Sequence, residues 1–132
     1  MRRLGTLFAL VGLLACGTAV SAEHIKAAFL GSGTYATAGD CARLRAREAG
    51  AEETIANVPE LLTAGGYKGH ENGCWFLSIR AKGRSFVARM DCGDGPESWN
   101  ETVIFKRGTG DSFDGTVKGN TTRYLRCDPK KR

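Results

Sequence analysis

From Gly73 to Cys127 apolar residues recur near every second position, and glycine-bearing turn signals interrupt the alternation at short intervals. A period of two places successive side chains on opposite faces of a strand, so this stretch predicts an antiparallel meander and not helices. Residues 74–79 read as one strand, 81–84 as a turn and 85–92 as the next strand. Phe86, Ala88, Met90 and Cys92 then share one face, and Val87, Arg89 and Asp91 the other. Gly93-Asp94-Gly95-Pro96 forms a second turn. Beyond it Trp99, Glu101, Val103 and Phe105 alternate with Asn100, Thr102, Ile104 and Lys106, and residues 108–111 turn the chain again. Strands over 113–118 and 121–127 flank a tight hairpin at Gly119-Asn120. Repeated hairpins of this kind predict a small barrel or a strongly curved sheet in place of a sandwich.

Upstream the pattern is less regular. Residues 34–37 read as a first strand, followed by a short helix or irregular insert. Asp40 is its expected N-cap, Cys41 and Leu44 are its apolar positions, and it ends near Gly50. Asn57-Val58-Pro59-Glu60 breaks whatever precedes it, and residues 61–67 lead on as an extended segment. Residues 23–32 contain Ala27-Ala28-Phe29-Leu30 and read as an arm or linker ahead of a domain spanning 33–128.

Arg2 and Arg3, an apolar stretch over 4–15 and the small residues Val20-Ser21-Ala22 have the form of a secretory signal peptide over 1–22. Leu13-Leu14-Ala15-Cys16 offers an alternative, a lipobox-like sequence in which Cys16 is acylated. Either processing leaves Cys41, Cys74, Cys92 and Cys127. Their spacing holds no C-x-x-C pair, so paired cysteines in a periplasmic or secreted protein are expected, with membrane contact only if Cys16 is lipidated.

If residues 82–84 form a three-residue loop, Cys74 lies opposite Cys92, Phe76 beside Met90 and Ile79 beside Val87. A two-residue turn would shift the register by one and set Cys74 opposite Asp91. With Cys74 paired to Cys92, Cys41 and Cys127 are left to tie the insert to the last strand and close the barrel.

Charge restricts the partners. Of 19 basic residues against 14 acidic ones, the leader takes Arg2 and Arg3. Lys130, Lys131 and Arg132, in a basic tail over 129–132, make up the rest of the excess. The body is therefore near neutral and the tail reads as solvated. No basic stripe with interleaved aromatics appears, so nucleic acid is not an expected partner.

Gly33-Thr34-Tyr35, Asp40-Cys41, Gly69-His70-Glu71-Asn72-Gly73-Cys74, Asp91-Cys92-Gly93, Trp99 with Glu101, and Arg126-Cys127 carry a likeness to known sequences. Over residues 33–128 the chain resembles a set of short exported proteobacterial proteins with four cysteines and no assigned activity. Its architecture is also similar to small lipocalin-like exported inhibitors of proteases or lysozyme. That resemblance implies a disulfide-tied barrel that acts by binding.

Candidate chemistry is sparse. His24 and His70 are the only histidines, and the cysteines lack ligand spacing, so neither a metal nor a cofactor is expected. Asp91, Asp94 and Glu97 lack the spacing of a calcium loop and fit turn chemistry. His70 with Glu71 is the one acid/base couple to consider. Its plain reading is a polar loop before a strand, and no nucleophile stands with it, so no catalytic residue is assigned. Trp75 and Trp99 read as core or disulfide packing; the competing reading makes them a ligand or partner anchor at a barrel mouth. The expectation is a monomeric, exported, non-catalytic module that binds a protein or small ligand. The alternative is an envelope protein anchored through Cys16 with a structural role.

Overall fold

A computed structural model describes residues 23–127. The leader with Cys16 and the tail at 129–132 lie outside the described residues. The elements are β1 (Tyr35–Ala36), α1 (Ala38–Glu48), β2 (Leu61–Thr63), β3 (Gly66–Lys68), β4 (Asn72–Lys82), β5 (Ser85–Asp94), β6 (Glu97–Arg107), β7 (Ser112–Val117) and β8 (Asn120–Arg126). Neighbours in sequence pair antiparallel throughout, and β8 returns to β1 to close an eight-stranded barrel. The meander expected from Gly73 onward is therefore β4 to β8, and the barrel form is the observed one.

The inward face follows the alternation. On β5 the predicted set Phe86, Ala88, Met90 and Cys92 faces the core, with Ala88, Met90 and Cys92 buried. Register places Phe105 beside Phe86, Val103 beside Ala88, Glu101 beside Met90 and Trp99 beside Cys92, so one face of β6 carries two core residues and two polar-tipped ones. An eight-stranded barrel has an interior just wide enough for side chains, or for one small ligand.

The β4–β5 hairpin keeps the expected pairs Cys74–Cys92 and Phe76–Met90 but reaches them through a different turn. Its turn has two residues, Gly83-Arg84, since Lys82 pairs with Ser85 and Gly83 has φ +59°. A positive φ at the first central position suits glycine and matches the twist of the strands it joins. A bulge at Leu77 then inserts one residue into β4. Below it Ile79 pairs with Ala88, where Val87 was expected, and above it Phe76 pairs with Met90 and Cys74 with Cys92. The bulge switches the inward parity of β4, which is why the even-numbered Cys74 and Phe76 and the odd-numbered Ile79 all pack on the core.

Other boundaries also move. Residues 61–67 form a hairpin, with Leu62 opposite Tyr67 and the turn at Ala64-Gly65. The last turn is Lys118-Gly119, one residue earlier than read, because Val117 pairs with Asn120. The N-cap of α1 is Thr37 and not Asp40: the Thr37 hydroxyl accepts the Asp40 backbone N–H at 3.2 Å. Asp40 sits inside the first turn, where a carboxylate suits the helix dipole, and Arg43 Nη1 donates to it at 2.8 Å.

Of the two readings of residues 23–32, arm or linker, the structure shows an arm packed on the barrel. Ile25 N–H donates to the Phe76 carbonyl, Ala27 N–H to that of Ala64, and a 3-10 turn over Ala28–Leu30 enters the barrel end that carries the Gly83-Arg84 turn. Ala27 and Leu30 are buried there. Phe29 stacks on Phe86 at 4.4 Å between ring centres and meets Phe76, Phe105 and Phe113 edge-on or tilted. The segment is the plug of one barrel end. Its apolar run is surplus for a linker and is explained by that burial.

Both expected disulfides are present, Cys74–Cys92 and Cys41–Cys127. The second fastens α1 across the seam where β1 and β8 share only the pairs Tyr35–Arg126 and Ala36–Leu125. Leu44, Leu61 and Leu125 pack around it as a small second core. Two disulfides are the mark of an oxidising compartment. Among the described residues no helix is long and apolar enough to cross a membrane.

Candidate functional site

The plug closes one end of the barrel and leaves the other concave. At that end, near the Lys118-Gly119 turn, a cavity of about 270 Å³ is lined by Leu62, Met90, Val103, Phe105, Tyr67 and Tyr124, with Glu101 and Val117 at its rim. Phe105 separates cavity from plug, since its ring meets Phe29 on one side and Tyr124 at 6.5 Å on the other. The lining is mostly apolar with few polar groups, the composition of small-molecule sites, and its size falls just below the usual range of about 300–1,000 Å³.

Three polar features converge on this cup. The Tyr67 hydroxyl donates to Glu60 Oε2. Burial, then that hydrogen bond and the charge of Glu60, push the Tyr67 pKa well above the ordinary phenol value. Burial likewise raises Tyr124, with Glu60 adding to it. Both phenols are therefore neutral donors and acceptors at neutral pH. Glu101 occupies an inward position of β6, half-buried, and its Oε2 accepts Trp99 Nε1–H at 2.8 Å. No Lys, Arg or His forms an ion pair with Glu101 among the described residues.

The two tryptophans do not form a pair. Trp75 is 46% exposed and stands opposite Asp91 on the outer face, while Trp99 is 41% exposed and stands opposite Cys92 on the inner face. Neither is a core residue. They end on different faces because Trp75 is odd-numbered on a strand whose upper half turns even positions inward, whereas β6 turns odd positions inward. Trp75 holds the arm: His24 stacks on it at 5.4 Å between ring centres, 9° from parallel, and His24 Nε2 lies 3.1 Å from Asp91 Oδ2. Asp91 is thus a partner of the arm rather than part of a cation loop.

His70 and Glu71 lie 3.7 Å apart on an exposed loop after β3. They share an open groove of about 440 Å³ with Asn72 and Trp75, and Tyr67 lines both this groove and the cup. Another open notch, of about 500 Å³, lies between β6 and the β7–β8 turn and is lined by Glu101, Ile104, Thr116 and Lys118. It exists because β6 pairs with β7 only from Ile104 onward, leaving Glu97–Val103 as an edge. Among the described residues no group of three His, Cys, Asp or Glu side chains could hold a metal ion.

Sequence reasoning placed Trp99 and Glu101 on the Val103–Phe105 face but missed the cup that Glu101 lines and that Trp99 reaches through its hydrogen bond to Glu101. The available signal was Glu101 itself, a carboxylate in phase with core residues, which is costly unless it has a purpose there. Tyr67 with Glu60 and Tyr124 was missed because the β2–β3 hairpin was read as one extended segment.

The fold and the cup together define a plugged, disulfide-closed, eight-stranded β-barrel with one open mouth. Compared with protein-family models, with curated proteins and with solved structures, the chain finds no match.

Proposed function

We propose that the protein is an exported, non-catalytic binding module that takes a small, largely apolar ligand into the open end of its barrel. The observation that carries this reading is the asymmetry of the interior: one end is filled by Phe29 and its aromatic neighbours, and the other keeps an apolar cavity lined by Met90, Val103 and Phe105. A barrel that needed only to be stable would fill both ends, because an unfilled apolar space forfeits packing. Export to the periplasm or beyond is supported by the two disulfides and by the leader pattern over 1–22.

Calorimetry with 1-octanol tests the reading. The oxidised protein is expected to bind it at one site, and Val117→Phe, which fills the rim, is expected to abolish binding while circular dichroism shows the barrel intact. Equal binding by the folded variant, or failure of the parent protein to bind 1-octanol and its eight-carbon amine and carboxylate counterparts alike, overturns the cup as the ligand site.

A further inference from the structure

We infer that the cup selects a ligand with an apolar body and a single cationic head, an amine, whose ammonium group sits at Glu101. The inference rests on the cup being the binding site and adds the chemistry of its rim. Glu101 is an inward residue of β6, two positions from the buried Val103, so its carboxylate is held at the boundary between the apolar interior and solvent. The carboxylate is covered on the barrel side and open on the solvent side, so a cation entering the mouth can reach it. The described residues provide a single hydrogen bond, from Trp99 Nε1, and no cation. Lys118 lines the same outer notch as Glu101 but forms no ion pair with it.

That hydrogen bond also orients the site. It fixes one oxygen of Glu101 and sets the exposed indole of Trp99 beside it, so a cation arriving at the carboxylate meets an aromatic group as well, the pairing that recognises ammonium groups elsewhere. Glu60, bonded to Tyr67 on the cup wall and close enough to act on Tyr124, adds a second negative charge near the same interior. An anionic head would face both carboxylates; a neutral head would leave Glu101 unbalanced. Inside the mouth the chain of the ligand replaces the empty apolar space against Met90 and Val103.

Three ligands with the same eight-carbon chain separate the possibilities: octylamine, 1-octanol and octanoate, each titrated at neutral pH with calorimetry and with tryptophan fluorescence in a Trp75→Phe background, where Trp99 is the one emitter, as readouts. Octylamine is expected to bind at least about tenfold more tightly than 1-octanol, the gain of one hydrogen bond to a charged group, with octanoate weakest. Glu101→Gln keeps an oxygen for the Trp99 N–H and should bring octylamine down to the affinity of 1-octanol. Octanoate binding as tightly as octylamine, or an amine preference that survives Glu101→Gln, overturns the inference. Equal binding of octylamine and 1-octanol by the parent protein also overturns it and leaves the cup standing. Failure of all three ligands to bind overturns both.

Discussion

Tyr67 shows how single side chains at the cup couple binding geometry to stability. Its hydroxyl is held by Glu60, and burial followed by that carboxylate raises its pKa; Tyr124 is raised for the same first reason. In the unfolded chain both phenols ionise near pH 10. A folded-state pKa above that value means that the contribution to stability is fully present below about pH 10 and is lost as pH rises past it, because the unfolded state then releases protons first. Urea unfolding at pH 7 and at pH 10.5 should therefore show a clear alkaline loss. Tyr67→Phe should cost about 1 kcal/mol at pH 7, the worth of one hydrogen bond, and make the alkaline loss smaller. An unchanged alkaline slope in that variant would mean that Tyr67 ionises as freely folded as unfolded.

At the scale of elements the arm decides most. Residues 23–32 contribute a plug whose central side chain, Phe29, touches four other phenylalanines. Phe29→Ala should lower unfolding free energy by roughly 3 kcal/mol, the low end for removing a core phenylalanine because Phe29 is only partly buried. Thermal unfolding measures it, and a loss below 0.5 kcal/mol, on the order of a surface substitution, would show the arm to be peripheral. The sequence could not reveal this plug, since Ala27-Ala28-Phe29-Leu30 has neither strand nor helix period and its partners lie scattered from Phe76 to Phe113. The strands β4 to β8 were legible because each carries its own alternation and its own turn. The Leu77 bulge was not, because one inserted residue leaves the apolar count unchanged and shows only in pairing; a three-residue turn without a bulge and a two-residue turn with one give Cys74 the same partner. The site was half legible for a related reason: period alone put Glu101 and Trp99 of β6 on the core face, but the face of Trp75 on β4 depends on parity that the bulge reverses.

Across the whole molecule, closure is the costly step. β1 contributes two residues to the barrel, and the β1–β8 seam is held by the pairs Tyr35–Arg126 and Ala36–Leu125, with Cys127 N–H donating to the Thr34 carbonyl at 2.7 Å. So few contacts cannot by themselves offset the entropy of joining the two ends of the domain. Cys41–Cys127, which spans 86 residues, removes most of that entropy from the unfolded chain; Cys74–Cys92 spans 18 and only reinforces a hairpin already paired along ten residues of β5. On the chain-entropy account the long bridge is worth between about 4 and 5 kcal/mol and the short one about 3. Replacing both members of each pair by serine, and comparing the two variants by urea unfolding in the absence of reductant, should show the greater loss for Cys41 with Cys127. The cup adds a second difference. Opening the seam lets β1 and α1 lift from β8 and exposes Leu62 and Tyr35, which face the interior, so ligand binding at the mouth should weaken in that variant even under conditions where it remains folded. The hairpin variant should keep its affinity once folded, because β4 and β5 stay paired from Asn72 to Ser85 without the bridge. Equal losses of stability in the two variants would put the closing force in the strand pairing itself and not in the staple.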